Sequence, residues 1–452
     1  MNVKNKHIVV IGAAKSGIAT AVLLSGKQAN VLVTDSGTIP EFRKDQLMNA
    51  GVIFEENGHS EQAHKGDFAV VSPGVPTEAP LVQEYLSSGR EVYSEIEAAS
   101  WFTESRIFGI TGSNGKTTTT AWLEHIWKTA GRKAHVGGNI GVAFSEFADK
   151  TEPEDDIILE ISSFQLDHIK NFRPYAGAIL NITPDHLNRY NNQFERYAAS
   201  KMRIMENQQP DDYFIFNYDD PVLKERMLGS GIRPDGPQMI AFSQLDEVSR
   251  GAFIRNGTII LNLEDKEEPL MEVAQIGLKG THNLGNGLAA AIMARTAEIS
   301  NEHIRESLAG FEGVAHRLEQ VRIVNGVRYI NDSKATNINS VWFALQSIKT
   351  PLVLIIGGRD KGNDYTELES QIREKVHTLI AIGEAKEKIK EQLHDVAPQL
   401  LEADSMEEAV ALSYRYAKKG EVVLLSPACA SFDMFDSYEH RGDVFKSIVQ
   451  KL

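Results

Sequence analysis

The sequence predicts an α/β protein of about three domains with mainly parallel sheets. Strand-like apolar runs alternate with helix-like segments through most of the chain. Two of these alternations pass through glycine turns, at 12–17 and 109–117, of the kind that seat phosphate groups. The length agrees, since 452 residues at about 150 per domain make about three.

The first run begins with His7-Ile8-Val9-Val10-Ile11, then a glycine turn, a helix, and Val31-Leu32-Val33-Thr34-Asp35. It continues through Phe68-Ala69-Val70-Val71 and ends near Glu97. The second opens with Ile107-Phe108-Gly109-Ile110, a second glycine turn and a helix. Ile157-Ile158-Leu159 and Ala178-Ile179-Leu180 read as buried strands. Phe253 to Leu261 alternates around Asn256-Gly257, a hairpin signal. A helix around Asn286 to Ala297 closes the run. The third holds Val353-Leu354-Ile355-Ile356, Leu379-Ile380-Ala381-Ile382 and Val422-Val423-Leu424-Leu425. These runs set expected domains at 1–97, 98–299 and 300–452. Internal repeats, heptads and low-complexity segments are absent.

Composition narrows the function classes. A net charge of −15 opposes non-specific binding to nucleic acid or anionic membrane. Anionic substrates would then need local devices: helix N-termini, lysines, arginines and metal ions. No apolar stretch is long enough to span a bilayer. The single cysteine, Cys429, excludes an internal disulfide, and Met1 to Lys6 lacks the apolar run of a signal peptide. A cytoplasmic protein is expected.

Gly109-Ile110-Thr111-Gly112-Ser113-Asn114-Gly115-Lys116-Thr117 is the sharpest feature. Glycines let backbone N–H groups turn toward phosphate oxygens, and the helix that follows adds positive potential. Lys116 supplies a point charge to the phosphates, and the Thr117 hydroxyl is a ligand for Mg²⁺. The spacing departs from the common nucleotide loop at Ile110. Glu160 ends the run Ile157 to Leu159, where a carboxylate can hold a metal bridging phosphates. Read alone, it is equally a salt-bridge partner. His186, read alone, is more often structural than catalytic, and Lys201 a solvated helix lysine. The other turn, Gly12-Ala13-Ala14-Lys15-Ser16-Gly17, precedes a strand ending in Asp35. That suits a nicotinamide-dependent oxidoreductase, except that Ala14 stands where a pyrophosphate needs glycine.

From Thr111 to Thr117 the sequence resembles the Mur ligases, the ATP-dependent amide-forming enzymes of peptidoglycan synthesis, and their relative folylpolyglutamate synthase. Gly137 to Gly141, Glu160-Ile161-Ser162-Ser163-Phe164-Gln165, Asp185-His186-Leu187-Asn188-Arg189-Tyr190 and Gly280 to Asn286 fit the same group. Asn331-Asp332-Ser333-Lys334-Ala335-Thr336-Asn337 carries a lysine where other members carry histidine, and so resembles the D-glutamate-adding branch. Gly357 to Lys361 and Ser426 to Ser431 agree with that branch, and the resemblance runs along essentially the whole chain.

The resemblance implies a dinucleotide-fold-like UDP-binding domain, a P-loop-type ATPase domain and a dinucleotide-fold-like C-terminal domain. The substrates it implies are UDP-N-acetylmuramoyl-L-alanine, D-glutamate and ATP, taken by a cytoplasmic monomer through an acyl phosphate. Lys15, Ser16, Asp35, Ser36, Gly74, Asn139, Ser162, Gln165 and His186 would bind the UDP substrate. Gly112, Ser113, Asn114, Gly115, Lys116, Thr117, Thr118, Asn286, Arg317 and Asp332 would bind ATP. Lys334, Thr336, Lys361, Ser431 and Tyr438 would frame D-glutamate, with Tyr438 replacing an expected phenylalanine. Thr117, Glu160, His186 and Lys201, the last as a CO₂-derived carbamate, would hold two Mg²⁺ ions, and Lys116, Glu160, His186 and Lys201 would be catalytic. Ala14 and Lys15 depart from the family's turn and put the uridine contacts in question. A ligase adding another amino acid, the oxidoreductase and a non-catalytic nucleotide-binding regulator are the competing readings.

Overall fold

Apolar segments of the N-terminal region pair in parallel: β1 (His7–Ile11), β2 (Asn30–Thr34), β3 (Ile53–Glu55), β4 (Phe68–Val71) and β5 (Val92–Ser94), ordered β3-β2-β1-β4-β5. The computed structural model describes residues 1–228, 235–263, 266–360 and 362–452. Side chains along β1 alternate between two cores. Ile8 and Val10 pack with Ile18 and Leu24, whereas Val9 and Ile11 pack with Leu81, Val82 and Tyr85. The strand order reverses at β1, which opens a crevice at the carboxyl ends of β1 and β4.

A second sheet contains β6 (Arg106–Thr111), β7 (Ala134–Gly138), β8 (Asp156–Glu160), β9 (Ala176–Ile179), β10 (Tyr213–Asn217), β11 (Gln238–Phe242), β12 (Gly251–Arg255), β13 (Thr258–Asn262) and β14 (Glu267–Glu272). Its order is β14-β13-β12-β11-β10-β9-β6-β8-β7. The β12–β13 and β13–β14 pairs are antiparallel and the remaining pairs parallel. The expected hairpin is β12–β13, with Asn256 and Gly257 at φ of 51° and 81°. Again the order reverses at one strand, β6, flanked by β8 and β9. The helix Lys116–Thr129 follows β6 and buries Trp122, Leu123, Ile126 and Trp127. Asp156, buried at the start of β8, accepts from Trp127 Nε1 (2.7 Å) and pairs with Arg106 and Arg132. A buried charge so satisfied avoids its desolvation penalty.

The third sheet has β15 (Glu319–Val324), β16 (Val327–Asn331), β17 (Leu352–Gly357), β18 (Val376–Ile382), β19 (Gln399–Ala403) and β20 (Val422–Leu425), ordered β15-β16-β20-β17-β18-β19. β15 and β16 form an antiparallel hairpin through Asn325-Gly326, a turn signal present in the sequence but not among the expected hairpins. β16, β20 and β17 run parallel, so their carboxyl ends share one edge.

The chain divides into two compact units, 1–312 and 313–452. The helix Asn301–Gly310 follows the expected boundary at 300 but packs in the first unit. Ser307 Oγ lies 2.6 Å from His125 Nδ1, and Phe311 stacks on Trp122 at 5.0 Å. No helix among the described residues is long and apolar enough to cross a membrane.

Candidate active site

The loop after β6 lies at the reversal point of the second sheet, where α/β folds bind ligands. It is braced from the segment following β9. Ser113 N donates to Asn181 O (3.0 Å), and Asn114 N donates to Asn181 Oδ1 (2.9 Å). Ser113 Oγ donates to Thr183 O (2.7 Å) and lies 2.8 Å from the Tyr197 hydroxyl. Gly115 takes φ of 87° and opens the helix, and a Cβ there would meet Asn286 Oδ1 at 2.4 Å. Asn286 is thus packed directly on the loop. Lys116 folds back over it, donating to Gly112 O (2.7 Å) and Ser113 O (2.9 Å).

Glu160, at the end of β8, is buried beside Thr117. Thr117 Oγ1 donates to Glu160 Oε2 at 2.8 Å, and Asn139 Nδ2 donates to Glu160 Oε1 at 2.9 Å. Three predicted residues therefore meet at one carboxylate. Among the described residues no three His, Cys, Asp or Glu side chains gather into a metal cage. A hydroxyl and one carboxylate at a phosphate loop nevertheless fit Mg²⁺, which keeps waters and takes its remaining oxygens from phosphates.

Lys201 lies in the helix Phe194–Met202 and is only 1% exposed. Its Nζ donates to Gly112 O at 3.0 Å, the carbonyl that Lys116 also uses, and sits 4.7 Å from the Tyr197 ring centre. Burial depresses its pKa well below the usual lysine value. The Lys116 charge adds to this, and Asp185, Asp167 and Glu160 oppose it. The neutral amine is thus favoured in a way the sequence did not reveal.

His186 takes a left-handed φ of 49°. Its ring sets an edge toward Phe164 at 6.4 Å, and Nε2 lies 3.7 Å from Asp185 Oδ2. Desolvation, with the charges of Lys116, Arg189 and Lys201, outweighs Asp185 and holds its pKa below the usual imidazole value. Ser162 N donates to Gln165 Oε1 at 2.9 Å, and Gln165 Nε2 is buried without a protein acceptor. Thr118 is half-buried on the helix.

In the N-terminal crevice, both Asp35 oxygens serve the backbone, accepting from Ala13 N (2.7 Å) and Gly37 N (2.8 Å). Lys15 reaches away to Gly141 O (2.6 Å) and Glu146 (3.5 Å). Ser16 is half-buried, and Ser36 and Gly74 are exposed. Arg189, to which the sequence assigns no role, stacks on Phe164 and donates to Pro73 O (2.7 Å) and Gly74 O (2.6 Å). It ties the crevice loop to the His186 loop. Tyr197 was also missed. Its position four residues before Lys201 on one helix was the available signal.

The second unit gathers the other predicted residues on loops at the shared edge of β16, β20 and β17. Asp332 follows β16 and is buried. It accepts from Ser426 Oγ (2.7 Å) and Leu318 N (3.1 Å), and burial pushes its pKa up to about 7. Arg317 stands between His316 and Leu318, both left-handed at φ of 62° and 45°. Such conformations cost a non-glycine residue on the order of 1–3 kcal/mol and cluster at functional sites. Lys334 Nζ lies 5.9 Å from the Tyr438 ring centre. Thr336 N donates to Lys334 O (2.9 Å), and Ser431 is buried in the loop after β20. Burial raises the Tyr438 phenol to about 12. Lys361 lies outside the described residues.

Comparison with known proteins matches three family models: the MurD N-terminal domain at 7–80, the Mur ligase middle domain at 110–294, and the Mur ligase glutamate ligase domain at 316–429. The UDP-N-acetylmuramoylalanine–D-glutamate ligase of Salinibacter ruber is 47% identical over 100% of this chain and 99% of its own. That of Bacteroides fragilis is 45% identical over 99% and 100%. Among solved structures, the UDP-N-acetylmuramate–alanine ligase of Thermotoga maritima matches with a TM-score of 0.56 at 17% identity, covering 99% of each chain. MurF from Acinetobacter baumannii matches at 0.57 and 15%, covering 98% of this chain and 93% of its own. These structural likenesses speak for the fold.

Proposed function

The chain belongs to the Mur ligase family, and from that premise we propose that it joins D-glutamate to UDP-N-acetylmuramoyl-L-alanine with cleavage of ATP to ADP and phosphate, in peptidoglycan precursor synthesis. The substrate reading is supported by full-length identity of 45–47% to D-glutamate ligases and by Lys334 in the segment that carries histidine in other members. The observation that carries the ligase chemistry is the pairing of Lys116 and buried Lys201 on one loop carbonyl. The protein acts as a cytoplasmic monomer in this reading.

The substrate carboxylate attacks the γ-phosphorus of ATP. The bond to the ADP oxygen breaks, and an acyl phosphate remains. The D-glutamate amine then attacks the acyl carbon, loses a proton and expels phosphate. Two anions must meet in the first step, so catalysis is chiefly positioning and charge neutralisation. Lys116 and the loop N–H groups bind the phosphates, and Asn286, packed on the loop, contacts the adenine. Arg317 and Asp332 serve the γ-phosphate and ribose. Thr117, Glu160, His186 and Lys201, the last as a carbamate, would hold Mg²⁺ in two sites, and the metal would supply positive charge at the phosphates. The neutral Lys201 amine adds to CO₂ with loss of a proton, turning a cation into a carboxylate-like ligand. Lys15, Ser16, Asp35, Ser36, Gly74, Asn139, Ser162, Gln165 and His186 receive the UDP substrate, with Asp35 acting through the turn it holds. Lys334, Thr336, Lys361, Ser431 and Tyr438 frame D-glutamate.

The test is phosphate release from ATP with Mg²⁺ and UDP-N-acetylmuramoyl-L-alanine, on adding single amino acids. Release that needs both the UDP substrate and D-glutamate is expected. Release with another amino acid would move the substrate, and no release would sink the ligase reading.

A further inference from the structure

We infer that Arg441 is a positioning residue for the amino-acid site, holding in register the loops that carry Lys334, Thr336 and Ser431 and the helix start at Tyr438. The inference rests on the reading above that these residues receive the amino acid.

Arg441 lies in the helix Tyr438–Val449 and is fully buried. Its Nε donates to Ser333 Oγ (2.9 Å), and Nη2 donates to Ser333 O (2.9 Å) and Cys429 O (3.1 Å). Nη1 donates to Ala430 O (3.3 Å). These acceptors are a hydroxyl and three carbonyls. Burying a cation on neutral partners costs several kcal/mol of desolvation, and an apolar side chain would fill the same space more cheaply. What the guanidinium offers instead is a rigid, planar fork of donors. Burial lowers its pKa to about 10, so it stays charged at neutral pH.

The acceptors lie on two different loops. Ser333 follows β16, and Cys429 and Ala430 follow β20. Ser333 Oγ also donates to Tyr438 O (2.8 Å), which couples the aromatic residue to the same centre. A third loop presses on it: a Cβ at Gly358, after β17, would lie 2.4 Å from Ala430 O and 3.1 Å from Arg441 Nη1. Ala428 beside it takes φ of 60°, a backbone form that alanine holds only when its surroundings enforce it.

Asp332, one residue before Ser333, has separate anchors. Its N–H donates to Leu425 O (2.8 Å), and its carboxylate accepts from Ser426 and Leu318. Loss of Arg441 should therefore loosen Lys334, Thr336 and Ser431 while sparing Asp332. A general structural role would disturb both.

The experiment is steady-state kinetics of full-length Arg441→Gln, Arg441→Lys and Ser333→Ala beside wild type, with thermal melting of each. Arg441→Gln should raise KM for D-glutamate about tenfold, equivalent to about 1.4 kcal/mol, with KM for ATP within about twofold. Arg441→Lys should fall between, and Ser333→Ala should shift the same constant less. Equal increases in both KM values, or none, would overturn the inference. Should Arg441→Gln fail to fold, Arg441→Lys and Ser333→Ala decide by the same split. Wild type that does not turn over D-glutamate would instead sink the underlying reading, whatever the variants do.

Discussion

Replacing Asp332 with asparagine should stabilise the second unit at neutral pH while weakening ATP use. Burial moves the Asp332 carboxyl from 3.8 to about 7. Between those values the folded protein holds a proton that the unfolded chain has released. Stability therefore falls as pH rises from about 4 to about 7 and stays low above that. A shift of about 3 units corresponds to on the order of 4 kcal/mol at pH 8. Asparagine removes the charge and keeps both hydrogen bonds. Its oxygen accepts from Leu318 N, and its amide donates to Ser426 Oγ, since a hydroxyl both donates and accepts. Urea unfolding of wild type and Asp332→Asn at pH 5 and pH 8 measures the effect. The variant's advantage should be largest at pH 8 and shrink toward pH 5, while its KM for ATP rises. An advantage independent of pH, or a variant less stable at pH 8, would refute the reasoning.

Lys201→Ala should lose most activity, and a short carboxylic acid added to the assay should restore part of it; full activity without rescue would remove the carbamate. Gly115→Ala should weaken ATP binding, because φ of 87° costs an alanine roughly 1–2 kcal/mol and its Cβ would crowd Asn286; calorimetric titration with ATP checks this. Glu160→Gln should raise the Mg²⁺ concentration needed for half-maximal activity, read from a metal titration; an unchanged requirement would separate Glu160 from the metal. Glu95 is buried with Oε2 unpartnered and its carboxyl raised to about 7, so Glu95→Gln should flatten the pH dependence of melting between about pH 4.5 and 7.

The sequence by itself determined the most apolar strands, such as β1, β8 and β17, the two glycine turns and the family. These are local: an apolar run such as Ile157-Ile158-Leu159, a Gly-Lys-Thr turn and an Asn-Gly hairpin each carry their own physical cause. It also supplied the identities of Thr117, Glu160 and Asn139, though not that one carboxylate joins them. Tertiary structure alone decided three things. It buried Lys201 against Gly112 and so favoured its neutral amine, because desolvation depends on what surrounds a side chain and not on its neighbours in sequence. It turned Asp35 inward to the backbone and sent Arg189 to Pro73 and Gly74, contacts between residues more than a hundred positions apart in the second case. And it gathered the loops after β16, β20 and β17 around Arg441, because parallel pairing brings their carboxyl ends to one edge, a register that no single segment encodes.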